Sequence, residues 1–118
     1  HNTRLLIFLI FVGCILFNVQ VKAQGDSVTG SFVGVVLDKN KVPIPNATIT
    51  FVYTETGISV STQSDANGQF TRNALRSGAY IVRVTAKGFV NDEKIATLYA
   101  TQKISVIPPF YLESDGVA

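Results

Sequence analysis

A chain of 118 residues has room for one domain and no more. Ten Lys and Arg against eight Asp and Glu give a formal charge of +2 with no basic run, which excludes binding to nucleic acid by clustered phosphate contacts. With one cysteine, Cys14, and one histidine, His1, neither a disulfide framework nor a histidine-based metal site can be built.

The chain opens with His1-Asn2-Thr3-Arg4 and then LLIFLIFVGCILF, a run from Leu5 to Phe17 that ends in the polar NVQ and VKA. One basic residue, an apolar stretch and light residues at Val21 and Ala23 predict a signal peptide over 1–23, cleaved after Ala23. The run is 13 residues long, short of the roughly 20 that a spanning helix needs. FVGC, at 11–14, loosely resembles a lipobox that would make Cys14 a lipidated terminus. Phe11 fits that motif poorly and the apolar ILF follows the cysteine, so Cys14 is expected to leave with the leader. Without Arg4 and Lys22 the basic residues number eight, equal to the eight acidic ones, and the domain over 24–118 is neutral. The chain has no methionine, even at position 1, which predicts a fragment of a longer protein.

Beyond Ala23 apolar residues recur with period two, and turn formers break the chain every eight to twelve positions. This predicts an all-β, antiparallel Greek-key sandwich of about seven strands. SFVGVVLD (31–38) ends at the turn-rich DKNKVPIPN, where Pro43 and Pro45 restrict the chain to loop or sheet edge. ATITFVYT (47–54) sets Ile49, Phe51 and Tyr53 against Thr48, Thr50 and Val52, and ISVSTQS (58–64) sets Ile58 and Val60 on one face. After DANG comes QFTRN with Phe70 inward. LRSG then leads to AYIVRVTA (79–86), with Tyr80, Val82 and Val84 on one face. KGF turns the chain, and EKIATLYA (93–100) and QKISVIPPFYL (102–112) close the domain.

The stretch TQSDANGQFT (62–71) reads either as the start of a calcium loop or as a turn. An EF-hand loop beginning at Asp65 would need oxygen ligands at positions 1, 3 and 5, glycine at 6 and glutamate at 12. Here Gly68 falls at position 4, Phe70 at 6 and Arg76 at 12. The turn is favoured: Asp65 caps following N–H groups, Asn67 tolerates the bend and Gly68 supplies a left-handed exit. Gly78 and Gly88 fall at strand junctions of the same kind. Tyr80 is expected to bury its ring while its hydroxyl ties a neighbouring backbone group.

GVVLDKNKVPIPNATITF and then TETGISVSTQSDANGQFTRNALRSGAYIVRVTAKGF resemble the carboxypeptidase regulatory-like domain, one of the transthyretin-like and carbohydrate-binding-like sandwiches. Matching positions include Gly34, Asp38, Pro43, Pro45, Ala47, Gly57, Asp65, Asn67, Gly68, Phe70, Leu75, Gly78, Tyr80, Val82, Val84, Gly88 and Phe89. The match runs from Val33 to about Val106. Ser77 departs from the pattern, which usually has proline there, at a cost in turn stiffness. A zinc carboxypeptidase, a Ser-His-Asp hydrolase and the transthyretin-related hydrolase all need histidines that the mature chain lacks. Asp92-Glu93 reads as a solvated loop pair. The expectation is a non-enzymatic module with no cofactor and no metal.

Three functional readings follow. A signal peptide directly before this domain resembles the N-terminal extension of Oar-like TonB-dependent outer-membrane receptors, with a plug and barrel expected downstream and a periplasmic or outer-membrane location. A stand-alone secreted module would bind carbohydrate or protein, with Tyr53, Tyr99, Phe110 and Tyr111 as candidate contact aromatics. A structural spacer would bind nothing.

Overall fold

The structure, a computed structural model, describes residues 29–116. The predicted signal peptide, with Cys14 and His1, lies outside the described residues, as does the start of the domain proposed over 24–118.

Ten residues from Thr29 to Asp38 form β1, which buries Phe32 and Val36 while Val33 and Val35 face the other way. β2 (Thr48–Tyr53), β3 (Ser59–Gln63), β4 (Gln69–Arg76), β5 (Gly78–Thr85) and β6 (Asp92–Leu98) follow, then the short β7 (Ile104–Val106) and β8 (Phe110–Leu112). One sheet runs β3-β2-β5-β6, antiparallel throughout. The other places β4 on one side of β1 and β7 and β8 on its opposite side.

The inward faces are those the alternation predicts. Ile49, Phe51 and Tyr53 of β2, Phe70 of β4, and Tyr80, Val82 and Val84 of β5 are all buried. Five aromatic rings link the sheets: Phe32 stacks on Phe51 at 5.6 Å and meets Tyr80 edge-on at 5.5 Å, while Phe70 bridges Phe51 and Phe110. Each such ring contributes roughly 1.5–3 kcal/mol by leaving water, with about 0.5–1.5 kcal/mol more per ring pair.

Three features depart from the simple alternating pattern. The closing stretch 102–112 is two strands, because Pro108 and Pro109 cannot donate to a ladder. β7 pairs with Ser31–Val33 and β8 with Val36–Asp38, both parallel to β1. Period-two alternation is the same in parallel and antiparallel ladders, so it carries no information on strand direction. β4 also runs three residues past the predicted QFTRN, through a bulge in which Gly30–Phe32 of β1 faces the longer Arg72–Leu75. The predicted LRSG turn thereby shrinks to a sharp crossing between sheets at Ser77–Gly78.

Candidate functional site

Asp65 Oδ1 accepts hydrogen bonds from the N–H groups of Asn67 and Gln69, both at 2.9 Å, and the Asp65 carbonyl accepts from Gly68 N at 2.9 Å. Asp65 N in turn donates to Gln69 O at 2.8 Å, closing the loop. Asp65 Oδ1 thus serves as the cap of the turn. Among the described residues no three His, Cys, Asp or Glu side chains gather as a metal site. Gly68 has φ of 75°, and a Cβ there would run into the Val36 carbonyl and crowd Ile44 N and Pro43, so the turn requires glycine twice over. Gly78, at φ 142°, lies against the Tyr53 ring, 2.6 Å from where a Cβ would stand. Gly88 has φ of 87° in its turn.

The corner beside Gly78 is tied by two tyrosines. Tyr80 donates its hydroxyl to Arg76 O at 2.7 Å, and Tyr53 donates to Ser77 O at 3.1 Å. Burial raises the Tyr80 hydroxyl above its usual ionisation, Tyr53 adds to the shift and Arg76 partly opposes it. The hydroxyl is thus held in the protonated form that this bond uses.

The four candidate contact aromatics do not form a platform. Tyr53 and Phe110 stand in the core, with relative exposures of 8% and 0%, because their strands point them between the sheets. Phe110 is a packing residue, and Tyr53 leaves only an edge at the surface. Tyr99 and Tyr111 are exposed, yet Tyr99 follows the Leu98 end of β6 while β8 runs toward the opposite end, where Val90 N donates to Glu113 O at 2.8 Å. The length of a seven-residue strand, roughly 20 Å, separates those ends.

Asp92 and Glu93 open β6 and do not lie in a loop. Glu93 pairs with Arg83 at 3.1 Å across the β5–β6 ladder, a solvated contact worth about 0.2–1 kcal/mol at most. Ser64 carries a role that alternation does not signal. Buried in an otherwise apolar core, it donates to Ile44 O at 2.7 Å and accepts from Ala47 N at 2.9 Å, binding the proline loop to the end of β3.

Of the concave regions, two have mainly apolar walls. A shallow groove of about 410 Å³ crosses the outer face of the β1 sheet, along Val33, Val35, Val106 and Pro109. A smaller cleft of about 180 Å³ opens between the β3 and β4 edges, over Phe51, Tyr53, Leu75 and Tyr80, with Ile58 and Arg76 also lining it. Sequence reading missed the cleft, since it placed Leu75 and Arg76 in a turn.

This arrangement defines a β-sandwich module with an apolar core and no assembled catalytic group among the described residues. The model of the carboxypeptidase regulatory-like domain matches residues 31–107, and the chain belongs to that family. No curated protein sequence matches the chain. Among solved structures it is similar to the TIE protein of Bacillus anthracis, with 22% identity and a TM-score of 0.59 over 74% of this chain and 17% of that one. A streptococcal ancillary pilin aligns with a TM-score of 0.59 at 15% identity, over 77% of this chain and 31% of the pilin. Hydroxyquinol 1,2-dioxygenase from Pseudomonas putida DLL-E4 aligns with a TM-score of 0.58 at 11% identity, over 78% of this chain and 58% of the enzyme. At such identities these likenesses concern the fold alone, and the chain spans only a part of each of those proteins.

Proposed function

We propose that this domain is a non-enzymatic interaction module of an exported protein, serving as the periplasmic N-terminal extension of a TonB-dependent outer-membrane receptor for nutrient uptake. The order of segments supports the setting: the apolar run from Leu5 to Phe17 precedes the family domain, which begins at residue 31, with only a short polar stretch between. The surface supports the module reading. Ile104 and Val106 are 62% and 74% exposed on the outer face of the β1 sheet, beside half-buried Val33 and Val35. Apolar side chains left in water on a sheet face are contact material rather than catalytic material. Separation of Tyr99 from Tyr111 weighs against a sugar platform and favours a protein partner over carbohydrate.

Sequencing the gene downstream of residue 118 tests the setting. A plug and a train of barrel strands are expected, and a reading frame that closes at once sinks the receptor proposal. Mass spectrometry of the mature protein tests export, with Gln24 expected as the first residue.

A further inference from the structure

The cleft between β3 and β4 combines four features. Its walls are aromatic and aliphatic: Phe51 and Tyr53 from β2, Val60 from β3, Leu75 from β4 and Tyr80 from β5. Its volume is about 180 Å³; an apolar cavity of about 150 Å³ takes up benzene. Arg76 lines it, with Cζ 5.6 Å from the Tyr53 ring centroid, and no carboxylate bridges this guanidinium among the described residues. Ala74, also on the wall, holds φ of 61° inside the β4 bulge, a conformation that alanine adopts only under strain. The bulge is what brings Ala74, Leu75 and Arg76 together along the cleft.

We propose that this cleft binds a small aromatic carboxylate, its ring in the mouth lined by Ile58, Val60 and Ala74, above the largely buried Tyr53 and Tyr80, and its carboxylate on Arg76. The tyrosine hydroxyls are already spent on the carbonyls of Arg76 and Ser77. Thr56 Oγ1 accepts from Ile58 N at 3.2 Å and keeps its own proton for the ligand. Glu55 Oε2 lies 3.2 Å from the Tyr53 hydroxyl, so its charge limits the affinity for any anion. Guanidinium supplies charge-assisted and bidentate hydrogen bonds that a neutral ligand head cannot match. The inference stands on the cleft alone, whatever protein the domain belongs to.

Two-dimensional amide NMR of the 118-residue chain, titrated with 3-phenylpropionate, 3-phenylpropanol and acetate, tests it. Phenylpropionate is expected to shift the amides of Val60, Ala74 and Arg76, phenylpropanol to bind about tenfold more weakly, and acetate to leave the cleft unmoved. Arg76→Gln removes the preference for acid over alcohol, Glu55→Gln strengthens acid binding, and Val60→Phe, which fills the cleft without touching the charge, abolishes both. Equal affinity for acid and alcohol on the unmodified chain overturns the proposal without any variant having to fold. So do shifts confined to the opposite end of the sandwich. The peptide Gly-Gly-Phe and its amide identify the source of the carboxylate. Binding by the free peptide but not its amide assigns a chain terminus, and failure of both beside a binding phenylpropionate assigns a free acid.

Discussion

Two turns in this domain have the same hydrogen bonds and different chemistry at the same position. In Asp38-Lys39-Asn40-Lys41-Val42 the aspartate Oδ1 accepts from Asn40 N and Val42 N at 2.8 and 2.9 Å. The loop closes through Asp38 N to Val42 O and Lys41 N to Asp38 O. Asp65-Ala66-Asn67-Gly68-Gln69 repeats all four bonds at the same offsets. The fourth residue is left-handed in both, at φ 65° for Lys41 and 75° for Gly68. Lys41 is exposed, whereas Gly68 is buried against β1, its carbonyl accepting from Val36 N at 2.7 Å. An Asp-x-Asn-x-x stretch fixes the loop; the neighbour decides whether a side chain is allowed at its left-handed residue.

Gly68→Ala should give the largest effect, a loss of about 2–4 kcal/mol in denaturant unfolding, because left-handed strain adds to a collision with the Val36 carbonyl. A loss near zero would remove the contrast between the turns. Asp65→Ala and Asp38→Ala should each cost about 1–2 kcal/mol by the same assay, since each removes two bonds from backbone N–H groups to a carboxylate. A much larger loss at Asp65 would show that docking on β1, beyond the loop itself, depends on the cap. Lys41→Gly should stabilise by roughly 0.5 kcal/mol, the relief of left-handed strain exceeding the entropy cost of glycine. A destabilised Lys41→Gly would mean that the lysine side chain contributes packing that its exposure conceals. Calcium should leave the melting temperature unchanged, and an upward shift that disappears in Asp65→Ala would restore the metal reading.

Much of the sandwich was legible because alternation reports burial directly. Ile49, Phe51, Tyr80, Val82 and Val84 face the core as their spacing requires, and Tyr80 ties its corner as expected. Alternation also placed Ile58 beside Val60, yet Ile58 is 68% exposed, since it lies at the edge of the sheet beside the open cleft. The contact aromatics show the opposite limit. Nearness to a loop or strand end does not tell a core ring, such as Phe110, from a rim ring, such as Tyr111, its neighbour in β8. The cleft was not legible because it depends on a bulge, and a bulge is one residue of mismatch between β4 and a strand about forty positions earlier.

By itself the sequence determined the membership of the family, the two-faced strands, the aspartate-capped turn at 65–69 and the lack of histidine chemistry in the domain. These are properties of residue type and near spacing, set by side-chain period and by local hydrogen bonding. The tertiary structure decided that β7 and β8 run parallel to β1, that Gly68 tolerates no side chain where Lys41 carries one, and that Arg76 stands over an open aromatic cleft. Each of these depends on which distant backbone lies a few ångströms away, and pairings of that range leave no period in the chain that makes them.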